Sequence, residues 1–195
     1  QGSQITASGG DVAITSTSSG SAAADMRAGA GAIGVAVASA SGSARITGDT
    51  LAYIGDGAEV TARNVRVQTI DPLTGKRTTR SATATMTAGS VGLIGATVAG
   101  ATAEITGDVQ ASIGKGARIT TLTGTTAVRA DSMSTALATS EGGAGGLVGV
   151  SVFNAIANVG TAGNTAATTA FIDEGSVITT RGLSVEASGG GSAIG

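Results

Sequence analysis

The chain has no cysteine and no histidine, and its 195 residues include one proline and only three aromatic residues. Without cysteine there is neither a disulfide framework nor a thiolate metal site. Without histidine, the commonest catalytic base and metal ligand is missing. We therefore expect neither an enzyme nor a bound metal or cofactor.

Charge is also scarce, because charged residues make up 12% of the chain and the net charge is −2. The charges are scattered singly and form no basic face to neutralise phosphates, so we expect no nucleic-acid partner. The 23 uncharged residues Ser81–Ala103 carry small residues four apart, a spacing found in packed membrane helices. Their threonines lower the hydrophobicity, and we expect no membrane span. The start, Gln1-Gly2-Ser3, resembles no signal sequence, so we expect a piece of a longer protein.

Small residues fill the space that aromatic residues leave. Glycine occurs 33 times, and apolar residues make up 41% of the chain. A core without large side chains has to be built from alanine, valine, isoleucine and glycine. This composition favours thin, closely spaced sheets over a rounded core.

One stretch, Ala52–Val60, recurs at a fixed distance of 59 residues as Ala111–Ile119 and Ala170–Ile178. A strict repeat of this length predicts a stacked architecture. Glycine stands at the same place in every copy, as a turn with a positive φ requires. These candidate turn glycines are Gly57, Gly116 and Gly175.

Segments with alternating apolar residues lie before and after each copy, and a period of two predicts β-strands. A glycine-rich strand precedes each copy, at Ala28–Ala40, Gly89–Ala99 and Gly142–Val152. A shorter strand lies shortly after each copy, at Asn64–Val67, Ala127–Ala130 and Gly182–Val185. Asp11–Ile14 is the equivalent strand at the start of the chain, where it would follow an earlier copy of the repeat.

Gly-Asp corners join the glycine-rich strands to the repeated stretch. Arg45–Asp49 matches Glu104–Asp108, again 59 residues apart, and Gly-Asp is a turn signal. The third unit has no such sequence within Ile156–Thr169, so we expect a different corner there.

Together these patterns predict an all-β parallel β-helix, or β-solenoid. With roughly 20 residues per coil, a 59-residue unit would hold three coils and the chain about ten. At ~4.8 Å per coil the rod would be about 50 Å long. The units would span approximately 1–27 (partial), 28–86, 87–140 and 141–195. The charge beside the turn reverses between copies, from Asp56 to Lys115. These two side chains would then lie three coils, or about 14 Å, apart and remain solvated.

The segment Asp71–Arg80 interrupts the repeat. It holds the only proline and three of the eleven basic residues, and a turn with proline, glycine and a positive tip predicts a protruding loop. Lys76, Arg77 and Arg80 are the candidate interaction residues.

Threonine rows suggest other functions. Thr83, Thr85 and Thr87 alternate, as do Thr121, Thr123 and Thr125, and therefore share strand faces. A β-solenoid that binds ice or a glycan through such faces is the alternative function. A glycan-cleaving β-helix enzyme is the weakest alternative, because the aspartates lie mostly at turns.

The glycine-rich strands followed by Ala-Tyr-Ile-Gly-Asp-Gly-Ala-Glu-Val resemble the repeats of leukotoxin-family filamentous adhesins and, more loosely, filamentous haemagglutinin-like exoproteins. The resemblance covers most of the chain, but the third corner and the Asp71–Arg80 loop depart from it. It implies a right-handed β-helix exported to the surface of a Gram-negative bacterium by an autotransporter (type V) or two-partner route. It brings no catalytic residues.

The expected function is therefore that of a structural and adhesive segment, a rigid stalk with loop-mediated binding. A host or bacterial cell-surface protein or glycan is the expected partner. Unpaired strand edges at the two ends of the stack would also favour end-to-end self-association.

Overall fold

The computed structural model describes residues 2–195 and contains sixteen β-strands and no helix in that range. In chain order, the strands are β1 (Gln4–Ala7), β2 (Val12–Thr15), β3 (Ser19–Gly31), β4 (Val35–Ile46), β5 (Thr50–Ile54), β6 (Glu59–Ala62), β7 (Val65–Gln68), β8 (Thr78–Val91), β9 (Ile94–Ile105), β10 (Val109–Ile113), β11 (Arg118–Thr121), β12 (Thr125–Gly145), β13 (Val148–Val159), β14 (Thr168–Ile172), β15 (Val177–Thr179) and β16 (Gly182–Ile194).

All pairing between these strands is parallel, and each strand pairs with its counterpart one repeat unit away. Thr50 of β5 pairs with Val109 of β10, which pairs with Thr168 of β14, so partners are one 59-residue unit apart. Four sheets form in this way, with the orders β1-β6-β11-β15, β5-β10-β14, β3-β8-β12-β7-β2 with β16 beside β12, and β4-β9-β13.

Each unit therefore makes one layer of strands, and the expectation of three coils per unit and ten coils in total is wrong. Two layers are complete, from β5 to β9 and from β10 to β13, and a partial layer lies on either side. The difference arises because the long strands, 14 residues in β8 and 21 in β12, use up a whole unit in one circuit. Four layers at ~4.8 Å spacing make a stack of about 15 Å, well short of a 50 Å rod.

The interior divides into two cores. In the first complete layer, the short strands β5, β6 and β7 enclose the first core with Ile54, Val60, Val65 and Val67, all at most 3% exposed. In the next layer, β10, β11 and the first part of β12 take their places. The second core lies between the sheet of β8 and the sheet of β9, and its buried residues are alanines together with Met86 and Ile105. We call this two-sheet part of the molecule the arm, defined by β3, β4, β8, β9, β13 and the second half of β12.

Small side chains line the inside of the arm, and valines lie on the outside of the β4-β9-β13 sheet. Ala36, Ala38 and Ala40 are buried, whereas Val35 and Val37 are more than 60% exposed. The facing sheets leave so little room that a Cβ added to Gly42 would lie 2.7 Å from Cε of the buried Met86. Alanine and glycine are therefore required inside, and the larger β-branched residues of the same strands face outward.

The glycine-rich segments that were expected to be single strands are each two strands joined by a tight turn. The turn falls between Gly31 and Val35, between Val91 and Ile94, and between Gly145 and Val148. At the third of these, Gly146 has a φ of +147°, and a Cβ there would lie 1.9 Å from the carbonyl oxygen of Gly92. The chain reverses at the tip of the arm because glycine permits this close backbone approach.

The Gly-Asp corners follow the expectation from the sequence. Gly48 and Gly107 have φ values of +119° and +101°. Oδ1 of Asp49 accepts a hydrogen bond of 2.8 Å from the backbone N–H of Asp108 in the next layer. The third corner is different, as expected, and is closed by a hydrogen bond from the N–H of Thr161 to the carbonyl oxygen of Asn164.

The turn glycines of the repeated stretch have φ values of +62° at Gly57, +66° at Gly116 and +71° at Gly175. These values are left-handed, a conformation that glycine adopts without steric cost. The charges beside these turns are solvent-exposed, as expected, with Lys115 and Glu174 62% and 72% exposed, but they are not distant from one another. Because the units are adjacent layers, Lys115 Nζ forms an ion pair with Glu174 Oε1.

Among residues 2–195, the structure contains no helix of the length and apolarity that a membrane span requires.

Candidate interaction site

The candidate loop joins β7 to β8 and is an insertion into the stack. Gln68 pairs with Arg129 and Thr78 with Ser132, so the nine residues between Gln68 and Thr78 stand opposite two residues of the next layer. In that layer, β12 runs through the same place without a break. The loop therefore protrudes where the neighbouring layer is a continuous strand.

Asp71 holds the loop in a closed turn. Its Oδ1 accepts a hydrogen bond of 2.9 Å from the N–H of Leu73, and its Oδ2 accepts one of 2.7 Å from Oγ1 of Thr74. The Asp71 carbonyl accepts the N–H of Gly75 at 2.8 Å, and Gly75 has a φ of +68°. The hydrogen bonds from Thr74 and then Leu73 lower the pKa of the Asp71 carboxyl below its ordinary value. The carboxylate therefore organises the loop through hydrogen bonds within the loop itself.

Lys76 is exposed near the tip of the loop, and its ammonium group has no carboxylate within 4 Å among residues 2–195. Arg77 is half-exposed and lies at the base. Its Nη1 is 3.4 Å from Oδ1 of Asp131, a carboxylate whose side chain is only 3% exposed. Arg129 approaches the other oxygen of Asp131 at 3.5 Å. Arg77 thus helps to neutralise a buried carboxylate, which leaves Lys76 as the cation available to a partner.

Arg80 is not part of the exposed loop. It lies in β8 with 5% exposure, and its side chain points inward to the Gly-Asp corner. Its guanidinium donates hydrogen bonds to the carbonyl oxygen of Gly107 and, at 3.4 Å each, to the carbonyl oxygen of Asp108 and to Oγ1 of Thr50. Burial lowers the pKa of Arg80 from its ordinary value. Its role is to satisfy corner carbonyls, so the structure separates it from Lys76 and Arg77.

A groove of about 380 Å³ runs beside the loop and contains two arginines that the sequence analysis did not single out. Arg66 of β7 and Arg129 of β12 line it together with residues of the loop. Both residues stand on alternating strands whose valines point inward, so strand periodicity alone could have placed them on the outer surface.

The charge of this groove is largely balanced. Arg66 Nη1 is 3.3 Å from Oδ2 of Asp11, and Arg129 Nε is 3.8 Å from Oε2 of Glu186. Guanidinium groups can form bidentate hydrogen bonds to a carboxylate or sulfate, but these would have to compete with the existing pairs. The described residues also hold no group of three or more aspartates or glutamates placed to bind a metal ion.

Comparison of the chain with protein-family models, with curated proteins and with solved structures finds no match.

Proposed function

We propose that the chain is a structural and adhesive segment of a large bacterial surface or secreted protein, built as a right-handed parallel β-helix that acts as a rigid stalk. The observation that carries this proposal is the pairing of each repeated strand with its counterpart one unit away in every sheet. Each layer covers the next, so that layers of one design continue the same two cores through the stack.

Contacts between layers extend beyond the backbone and support the stalk role. Arg45 Nη2 lies 2.6 Å from Oε2 of Glu104, its partner one unit away. Asp56 Oδ1 accepts the N–H of Lys115 at 2.9 Å. Such contacts between layers help to fix the register of the paired strands. A uniform alternation of small side chains would by itself specify this register only weakly.

The resemblance to leukotoxin-family and haemagglutinin-like repeats supports a location on the surface of a Gram-negative bacterium or outside it. Export by an autotransporter or two-partner route is part of the same proposal. The stalk would hold other regions of the protein away from the cell.

Pulling single molecules between their two ends tests the stalk. A layer that unfolds as a unit releases 59 residues, which lengthens the chain by about 200 Å. We expect steps of this size at high force. Steps of about 70 Å, which correspond to 20-residue coils, would contradict one layer per unit.

The adhesive part of the proposal depends on the loop, with Lys76 as the group that meets a cell-surface protein or glycan. The chain has only two lysines, which gives a matched control. We expect Lys76→Gln to reduce the binding of labelled protein to cultured mammalian cells, measured by flow cytometry, and Lys115→Gln to leave it unchanged. Equal binding by both variants and the parent chain would remove the loop from the proposal.

The alternative, an ice- or glycan-binding solenoid, has only one of its two threonine rows on an outer surface. The expected row of Thr121, Thr123 and Thr125 is not a strand face, because Thr121 is 5% exposed and Thr123 lies in the turn between β11 and β12. Thr83, Thr85 and Thr87 alternate with the buried Ala82, Ala84 and Met86, so the three threonines face outward. The row is interrupted between layers, since Thr85 pairs with Asp25 and Thr87 with Arg27. A thermal-hysteresis assay distinguishes the two, because clear activity would favour ice binding over a plain stalk.

Catalysis is not part of the proposal, and the glycan-cleaving enzyme remains the weakest candidate. Asp49 and Asp108, which share one polar recess, both accept backbone hydrogen bonds at their corners.

We also propose end-to-end self-association, because the outermost strands have a partner on one side only in the described residues. Sedimentation that shows a monomer at millimolar concentration would contradict it.

A further inference from the structure

Two of the three aromatic residues of the chain lie on the same outer surface, two layers apart. Tyr53 of β5 pairs with Ser112 of β10, which pairs with Phe171 of β14. The aromatic side chains are 60% and 39% exposed, and the serine between them is 5% exposed. Tyr53 and Phe171 therefore rise on either side of Ser112, at a separation of about 10 Å set by two strand spacings.

Both rings line one recess of about 420 Å³, which is separate from the loop. Leu51 adds a third apolar wall, and the polar side chains of Gln110 and Ser112 form the floor. Nε2 of Gln110 donates a hydrogen bond of 3.2 Å to Oγ of Ser112. The recess thus combines apolar walls with a few fixed polar groups, the usual composition of a small-molecule site.

Two carboxylates stand at the rim. Asp56 and Asp173 line the recess, and each uses its Oδ1 to accept a backbone N–H, at 2.9 Å from Lys115 and 2.8 Å from Glu174. Within residues 2–195 no hydrogen bond involves Oδ2 of either aspartate. The free oxygens can accept hydrogen bonds from a ligand that donates hydroxyl groups.

We propose that this recess binds a neutral saccharide about as long as a disaccharide. The negative faces of Tyr53 and Phe171 suit the C–H faces of two sugar rings. Gln110, Ser112 and the two aspartates offer hydrogen bonds to the hydroxyl groups. An anionic sugar fits less well, because Lys115, the cation beside the recess, is already paired with Glu174. A purely apolar ligand would displace water from the polar floor and offer no hydrogen bonds in its place, which costs free energy.

The absence of tryptophan gives a direct readout, since Tyr53 is the only tyrosine. The probes are cellotetraose, maltotetraose and chitotetraose, with sialyllactose as the anionic comparison. We expect at least one neutral probe to change the Tyr53 fluorescence saturably, and sialyllactose to bind at least tenfold more weakly. No saturable change with any neutral probe at millimolar concentration, or stronger binding of sialyllactose, would overturn the proposal.

Phe153 is the control for the aromatic walls, because it is 40% exposed and lies in β13, outside the recess. We expect Phe171→Ala to reduce the affinity for the bound probe at least tenfold in calorimetry, and Phe153→Ala to change it less than twofold. If Phe171→Ala fails to fold by circular dichroism, Gln110→Ala takes its place with the same expected loss. Equal affinities for recess and control variants would overturn the site.

The proposal does not depend on the loop. Lys76→Gln should leave probe binding unchanged, and Phe171→Ala tests the recess without altering the lysine. Failure of cell binding through the loop and failure of saccharide binding in the recess are therefore distinguishable results.

Discussion

The backbone N–H of Asp108 donates a hydrogen bond of 2.8 Å to Oδ1 of Asp49, its equivalent one unit earlier. Asp108 in turn uses its own Oδ1 to accept the N–H of Ala167 at 2.9 Å, together with Oγ1 of Thr165 at 2.8 Å. The series ends there, because alanine stands at the equivalent position of the third unit. The corner aspartates thus bind the layers together.

Replacing Asp108 should weaken this corner. We expect Asp108→Ala to lower the free energy of unfolding by about 1–3 kcal/mol, because it leaves a backbone donor and a hydroxyl without their acceptor. Asp108→Asn keeps an oxygen in place and should cost less than half as much. Chemical denaturation measures both, and equal losses would show that the acceptor is not what matters.

The loop should respond to acid through Asp71. Its pKa is lowered in the folded protein, chiefly by the hydrogen bond from Thr74. Because the pKa is lower in the folded state, the ionised carboxylate stabilises the fold at pH values above the unfolded-state pKa. This stabilisation is lost as the pH falls through the folded-state pKa. We expect an NMR titration of Asp71 to have its midpoint below the ordinary value of about 3.8, and Thr74→Val to move it upward. An unchanged midpoint in the variant would contradict the assigned cause.

Two turn glycines should differ in how they tolerate alanine. A Cβ on Gly107 would lie 2.3 Å from the carbonyl oxygen of Gly48, whereas a Cβ on Gly116 would meet nothing within 4 Å. Gly116→Ala should cost about 1–2 kcal/mol from its left-handed φ alone. Gly107→Ala adds a backbone clash and should cost clearly more, or prevent folding. Denaturation midpoints compare the two, and similar losses would contradict the close approach of adjacent layers.

The ion pair between Lys115 and Glu174 should contribute little and depend on salt. Both side chains are more than 60% exposed, and exposed pairs contribute about 0.2–1 kcal/mol. We expect a double-mutant cycle with Lys115→Gln and Glu174→Gln to give a coupling in this range at low salt. The coupling should fall towards zero in 1 M salt. A coupling that salt leaves unchanged would be inconsistent with a solvent-exposed pair.

Local features of the fold were predictable from the sequence, and the layer size was not. Turns at Gly48, Gly57 and Gly107 follow from residue chemistry within a few positions. The length of a coil depends on which distant strands pair, and an alternating pattern fits a 20-residue coil as well as a 59-residue one. The turn near Gly146 at the tip of the arm was also missed. The alternation of apolar residues resumes directly after this turn, so the segment resembles a single strand.

The candidate loop was located correctly as an interruption of the repeat, but its cations were not equivalent. Arg80 was grouped with Lys76 because both lie in one charged segment. Arg80 shares the inward parity of Ala82 and Ala84 in β8, so counting back along the strand would have placed it inside. Its partner was not predictable in the same way. Arg80 donates to the carbonyl oxygen of Gly107, 27 residues away, and local sequence does not reveal such a tertiary contact.

The central claim, that one 59-residue unit makes one layer, is tested most directly by cross-linking. The chain has no cysteine, and the exposed Glu59 and Arg118 are parallel partners in adjacent layers. Adjacent strands bring Cα atoms to about 4.8 Å, within the range of a disulfide. We predict that Glu59→Cys/Arg118→Cys forms an intramolecular disulfide in high yield under mild oxidation, seen by peptide mass spectrometry. A disulfide in Glu59→Cys/Thr79→Cys, the spacing of a 20-residue coil, and none in the first variant would contradict the fold.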